Sequence, residues 1–82
     1  MRVLLVVPAF NEARSLDALL DEIRSVALDG VAITTVVVDD GSRDRTADVA
    51  RARGVRTLVL CGNLGIGAAV QSGLRLAARE GF

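Results

Sequence analysis

Asp39 and Asp40 stand at the abrupt end of the apolar run Val36-Val37-Val38, and Gly41 and Ser42 follow them. Adjacent carboxylates in such a place can accept N–H or O–H donors from a ligand. Shielded from water, each such charge-assisted bond is worth roughly 1.5–3 kcal/mol. Asp-Gly-Ser is also ordinary turn chemistry. On that reading Ser42 caps a helix beginning near Arg43, and Asp44 favours its positive end. Two further segments carry polar groups and glycines at comparable places: Pro8-Ala9-Phe10-Asn11-Glu12, and Gly62-Asn63-Leu64-Gly65-Ile66-Gly67.

The elements that position these segments follow from hydrophobic pattern. Val36 to Val38 and the earlier run Val3 to Val7 show no alternation of apolar and polar residues. Both therefore read as strands buried on two faces, as in a parallel sheet with helices on either side. Residues 2–7 form the first strand, ended by Pro8, which has no N–H for a ladder. Leu16, Leu19, Leu20, Ile23, Val26 and Ala27 recur at helical spacing, and Asp29-Gly30 closes that helix. Residues 31–38 form the second strand, and the crossover between the two fits a right-handed parallel βαβ unit.

A second helix is expected from about Arg43 to Arg53, with Thr46, Ala47, Val49 and Ala50 inward and Gly54 as its left-handed terminator. Val55 to Leu60 is the third strand. Ile66, Ala69, Val70, Gly73, Leu74 and Ala77 mark the inner face of a third helix. The fold class is α/β: three successive βα units of a parallel, Rossmann-like sheet with strand order 3-2-1. In such sheets ligands sit beyond the carboxyl ends of the strands, where the three polar segments converge. An aspartate there can take the N–H groups of a nucleobase and Glu12 a ribose hydroxyl, while Gly65 and Gly67 let backbone approach a ligand closely. The glycines equally suit tight strand-to-helix packing.

Composition excludes several alternatives. The 82 residues carry no net charge, and every basic residue is arginine. Arg43, Arg45, Arg51, Arg53 and Arg56 are interrupted by Asp44 and Asp48 without aromatic platforms, so they read as a solvated helix face and not a nucleic-acid surface. Without histidine or lysine the chain has no Ser-His or Cys-His dyad, no Schiff base and no P-loop lysine. Cys61, the single cysteine, excludes an internal disulfide and reads as a small buried hydrophobe at a strand end. No targeting signal or membrane span is read at the amino terminus. Gly65-Ile66-Gly67-Ala68-Ala69-Val70 is a poor dinucleotide fingerprint, because Val70 stands where Gly or Ala is needed and it follows the third strand.

With PAFNEA, VVVDDGSRDRT and NLGIGAAVQSG in this order and spacing, the chain resembles the start of a family 2 glycosyltransferase. The nearest branch is that of dolichyl- or polyprenyl-phosphate sugar transferases. The resemblance implies a GT-A fold and transfer of a sugar, with inversion, from a nucleoside-diphosphate sugar linked to UDP or GDP. It implies that Pro8, Ala9, Phe10 and Glu12 contact base and ribose, and that Asp40 binds the base with Asp39 alongside. It further implies that Asn63, Gly65 and Gly67 help shape the donor site. It also implies Mg²⁺ or Mn²⁺ in the intact enzyme, a polyprenyl-phosphate acceptor, and a cytoplasmic location with possible association at the membrane face.

The metal-binding D-x-D motif, catalytic base and acceptor site of that family lie beyond the matched segment, so neither metal ligands nor catalytic residues are expected in residues 1–82. The first strand has an interior composition but an edge position. Residues 1–82 are therefore expected to be the amino-terminal, nucleotide-binding part of a larger domain, or to self-associate through that edge. The alternatives are a noncatalytic α/β nucleotide-binding or assembly module, and a truncated product with no function.

Overall fold

Valine and leucine runs without polar alternation become the first two strands, and the periodic segments between them become helices. The computed structural model describes residues 1–62 and 64–82; Asn63, one of the expected site residues, lies outside them. In chain order the elements are β1 (Arg2–Ala9), α1 (Ala13–Ser25), β2 (Ala32–Asp39), α2 (Thr46–Ala52), β3 (Arg56–Val59) and α3 (Ile66–Glu80). All three strands are parallel, in the order β1-β2-β3. Ala9 pairs with Asp39 and Asp39 with Val59, so the three strands end level at one edge.

β1 runs through Pro8 instead of stopping before it. The Ala9 carbonyl accepts from the Asp40 N–H (2.9 Å), so by alternation Pro8 faces the open side of the sheet. A missing N–H is tolerated at such an edge.

Two layers cover the sheet. Val7, Ala9 and Val37 pack with Leu16 and Leu20 of α1 and Ala50 of α2, with Ile23, Val49 and Val55 against them. Val6, paired with Val36, points to the other face, and there α3 crosses β1 and β2. This change of face matters for function. Right-handed crossovers through α1 and α2 lead away from β1, whereas a helix on the opposite face leads back past it. The change lays α3 against β1 beside the carboxyl edge where all three strands end level, and ligands of open α/β sheets bind beyond such edges.

Several boundaries differ from the sequence pattern. α1 ends at Ser25, leaving Val26 extended and exposed and Ala27 exposed; Leu19 is also exposed. α2 begins at Thr46, not near Arg43, because residues 40–45 make other bonds. Gly54 does take the left-handed conformation (φ 71°).

On α3 the buried line is Ala69, Gly73 and Leu76. Ile66, Val70 and Leu74, expected inward, form an exposed row at i, i+4 and i+8. A helix resting closely on two strands encloses its small residues, and the larger ones flank that contact.

Gly73 sets how closely α3 lies on β1. A β-carbon there would fall 2.5 Å from one Val6 γ-methyl and 2.6 Å from the other. Valine has little rotamer freedom with which to move aside. Gly73→Ala is expected to destabilise the fold by about 1–2 kcal/mol, overpacking outweighing the gain of about 1 kcal/mol in helix propensity. In a Val6→Ala background the same change should be neutral or stabilising. Urea denaturation of the four variants checks this, and an equal effect in both backgrounds would contradict it.

Candidate functional site

Buried carboxylates need hydrogen-bond donors, and Asp39 and Asp40 are only 3% and 5% exposed. The two take donors from different directions. Asp39 Oδ1 accepts the Ser42 N–H (2.9 Å) and the Ser42 hydroxyl, closing a turn over Gly41. Asp40 reaches the next loop, where Oδ1 accepts the Leu64 N–H and Oδ2 the Gly65 N–H, both at 2.7 Å. These amides immediately precede α3, which has no side-chain cap of its own. Gly41 (φ 74°) lies so near the third loop that a β-carbon would fall 2.7 Å from the Gly62 carbonyl carbon.

The loop after β1 is tied to the same segment. Asn11 N–H donates to Ser42 Oγ (2.9 Å), and Arg43 N–H donates to Asn11 Oδ1 (2.9 Å). Glu12 N–H donates to Thr46 Oγ1 (2.9 Å) and Ala13 N–H to Asp44 Oδ2 (3.2 Å). Asp44 Oδ1 takes the Thr46 N–H (3.0 Å) and the Thr46 hydroxyl. The capping expected of Ser42 is thus performed by Asp44, which serves the first turns of both α1 and α2. Ser42 is diverted to Asp39 and Asn11, and this moves the start of α2 to Thr46. Glu12 Oε2 accepts the Ser15 hydroxyl (2.7 Å).

A cleft of about 370 Å³ opens between the first and third loops, lined by Pro8, Ala9, Phe10, Glu12, Asp40, Gly65, Ile66 and Ala69. The structure thus brings together the expected residues Pro8, Ala9, Phe10, Glu12, Asp40 and Gly65. Asp39 and Gly67 are not among the lining residues. Ile66 and Ala69 line it although sequence reasoning placed them only on a helix face. Their position in the first turn after a glycine loop is the signal that would have located them. Cys61, expected to be buried, is exposed in that loop, because β3 ends at Val59 and the chain has left the sheet.

The lining offers carboxylate acceptors and apolar surface, and no arginine. Each Asp40 oxygen has spent one lone pair on the protein and can accept again. The cleft is therefore suited to a flat group with N–H and O–H donors. A second depression, of about 350 Å³, lies at the opposite edge among Leu20, Ile23, Val31, Ile33 and Val55. Its Arg53 is engaged by Asp17 (3.2 Å) and Asp21.

The Thr46 hydroxyl, with the amides of Ala13 and Thr46, holds the Asp44 carboxyl below its ordinary value of 3.8. The folded value is depressed, so Asp44 contributes stability above the unfolded value that is lost as pH falls through the folded one. Asp44→Asn should be less stable than the parent at pH 7, with the gap closing as pH falls below 3.8 and through the lower folded value. Urea denaturation as a function of pH checks this; a gap independent of pH would contradict it.

Comparison with known proteins agrees with the motifs. Glycosyl transferase family 2 matches residues 4–80. An uncharacterized protein of Methanocaldococcus jannaschii is 35% identical over 92% of this chain and 29% of its own length. The undecaprenyl-phosphate 4-deoxy-4-formamido-L-arabinose transferase of Pseudomonas aeruginosa is 38% identical over 87% of the chain and 23% of its own length. The dolichyl-phosphate beta-glucosyltransferase of Drosophila melanogaster is 38% identical over 90% of the chain and 26% of its own length. The chain thus spans about a quarter of the length of these relatives. No solved structure matches it. With three motif loops meeting at one sheet edge and a family match across nearly every residue, the chain belongs to glycosyl transferase family 2.

Proposed function

We propose that the cleft at the carboxyl edge binds the nucleoside of a nucleoside-diphosphate sugar, linked to UDP or GDP. The protein of which these residues are the nucleotide-binding part transfers the sugar, with inversion, to a polyprenyl phosphate at the cytoplasmic face of a membrane. The observation that carries the reading is the lining itself. Asp40, at 5% exposure, and Glu12 present acceptors beside the Phe10 ring and the backbone of Gly65. A base inserted there donates an N–H to a remaining Asp40 lone pair, and the ribose hydroxyls donate to Glu12. The half-exposed Phe10 ring supplies apolar contact to the base.

The polyprenyl-phosphate acceptor rests on what two relatives are named for. Among the described residues no helix is long and apolar enough to cross a membrane. Nor do three or more His, Cys, Asp or Glu side chains come together there as a metal site. In this reading the Mg²⁺ or Mn²⁺ that accompanies a diphosphate donor takes its ligands from outside these residues.

Calorimetric titration of the purified protein with UDP and with GDP tests the reading. One of the two should bind, and Asp40→Asn should weaken it by about ten- to a hundredfold, the loss expected for a hydrogen bond to a charged group. Circular dichroism should show the variant still folded. Binding of neither nucleotide, or undiminished binding by Asp40→Asn, would contradict it.

A further inference from the structure

Asp39 is more deeply buried than Asp40 and does not line the cleft, yet its carboxylate is two hydrogen bonds away from the loop that does. Ser42 is the intermediary. Its hydroxyl donates to Asp39 Oδ1 and at the same time accepts the Asn11 N–H (2.9 Å). A hydroxyl used in both directions is fixed in rotation, and its bond to a charged acceptor makes it short and strong.

Asn11 is held from a second side by the Arg43 N–H on its Oδ1 (2.9 Å). It also has the one positive φ among the described non-glycine residues, 54°. That conformation is unusual for an L-residue and is tolerated best by asparagine and aspartate.

The consequence falls on its neighbours. Ala9 is pinned by the Asp40 N–H and Glu12 by Thr46, so Phe10 and Asn11 are the short span between two fixed points. With its ends fixed, the direction in which the span presents the Phe10 ring and the Glu12 carboxylate is set by the backbone of Asn11. We infer that Asp39, Ser42 and Asn11 are positioning residues of the nucleotide site: they hold Asn11 in its left-handed conformation and so aim Phe10 and Glu12 at the base and ribose, without touching either. This rests on the nucleotide reading above. Asp39 and Asp40 then divide the work, one shaping the first loop and the other facing the ligand while anchoring the third.

The test is a double-mutant cycle read by calorimetric titration with UDP and GDP. Ser42→Ala should weaken the nucleotide that binds by about three- to tenfold, the effect of losing the acceptor that holds the Asn11 N–H. In a Phe10→Ala background the loss should be smaller, since the ring it aims is gone and only Glu12 remains to be misdirected. Asn11→Gly keeps the backbone conformation accessible but loses the Oδ1 acceptor, and should show the same dependence on Phe10. Asn11→Asp should recover most of what Asn11→Gly loses. Amide hydrogen exchange at Asn11 and Glu12 should quicken in Ser42→Ala without nucleotide. Equal weakening by Ser42→Ala in both backgrounds, unchanged affinity, or unchanged exchange would overturn the inference while leaving the nucleotide reading standing. Binding of neither nucleotide by the unsubstituted protein would overturn both.

Discussion

Unsatisfied amides at the start of a helix must find acceptors, and here three helices find them on one short segment after β2. Asp44 and Thr46 take the amides that open α1, Asp44 takes the one that opens α2, and Asp40 takes the pair before α3. The reciprocal need is as strong. Asp39 and Asp40 are buried carboxylates, and burial is tolerable only because each is met by donors. The valine strand delivers acidic side chains to an edge where donors are in surplus, and that match fixes the relative placement of all three loops. The cleft is the space left between two loops held to a third.

The same constraint explains how a small chain with few large side chains can hold a defined pocket. Its core is valine, leucine and alanine, and the close approach of α3 to β1 depends on Gly73. The ion pairs are on the surface, Arg53 with Asp17 and Asp21 and Arg56 with Glu80, and such exposed pairs contribute little. Order at the carboxyl edge comes instead from partly buried bonds between side chains and backbone. The change of face between α2 and α3 lays α3 over β1, and the cleft opens between its first turn and the loop after β1.

What could be read from the sequence was whatever depends on local pattern. Uninterrupted apolar runs gave the parallel strands and their order, and the turn residues located the three loops at one edge. Contacts set by distant parts of the chain were not readable in this way. Ser42 looked like a cap because its local sequence is that of a cap, and only the neighbouring loop shows that Asn11 and Asp39 claim it. Adjacent aspartates point oppositely from an extended strand, but which one faces the cleft depends on where α3 lies. The apolar stripe of α3 was too wide for periodicity alone to say that Ala69 and Gly73 lie inward while Ile66, Val70 and Leu74 do not. Cys61 looked buried by residue type, whereas strand length decides it.

The measurement that bears most directly on the role of this edge is a nuclear magnetic resonance titration of the labelled protein with UDP and GDP, following backbone amide shifts. The two clefts are of similar size, about 370 and 350 Å³, so volume does not choose between them. Chemistry does: carboxylate acceptors for N–H and O–H donors line the carboxyl-edge cleft, whereas the other is lined by the cations Arg24 and Arg53. Shifts concentrated at Phe10, Glu12, Asp40, Gly65 and Ile66 are predicted. Shifts concentrated at Leu20, Ile23, Val31 and Val55, or none at saturating nucleotide, would contradict the assignment of the carboxyl-edge cleft as the nucleotide site.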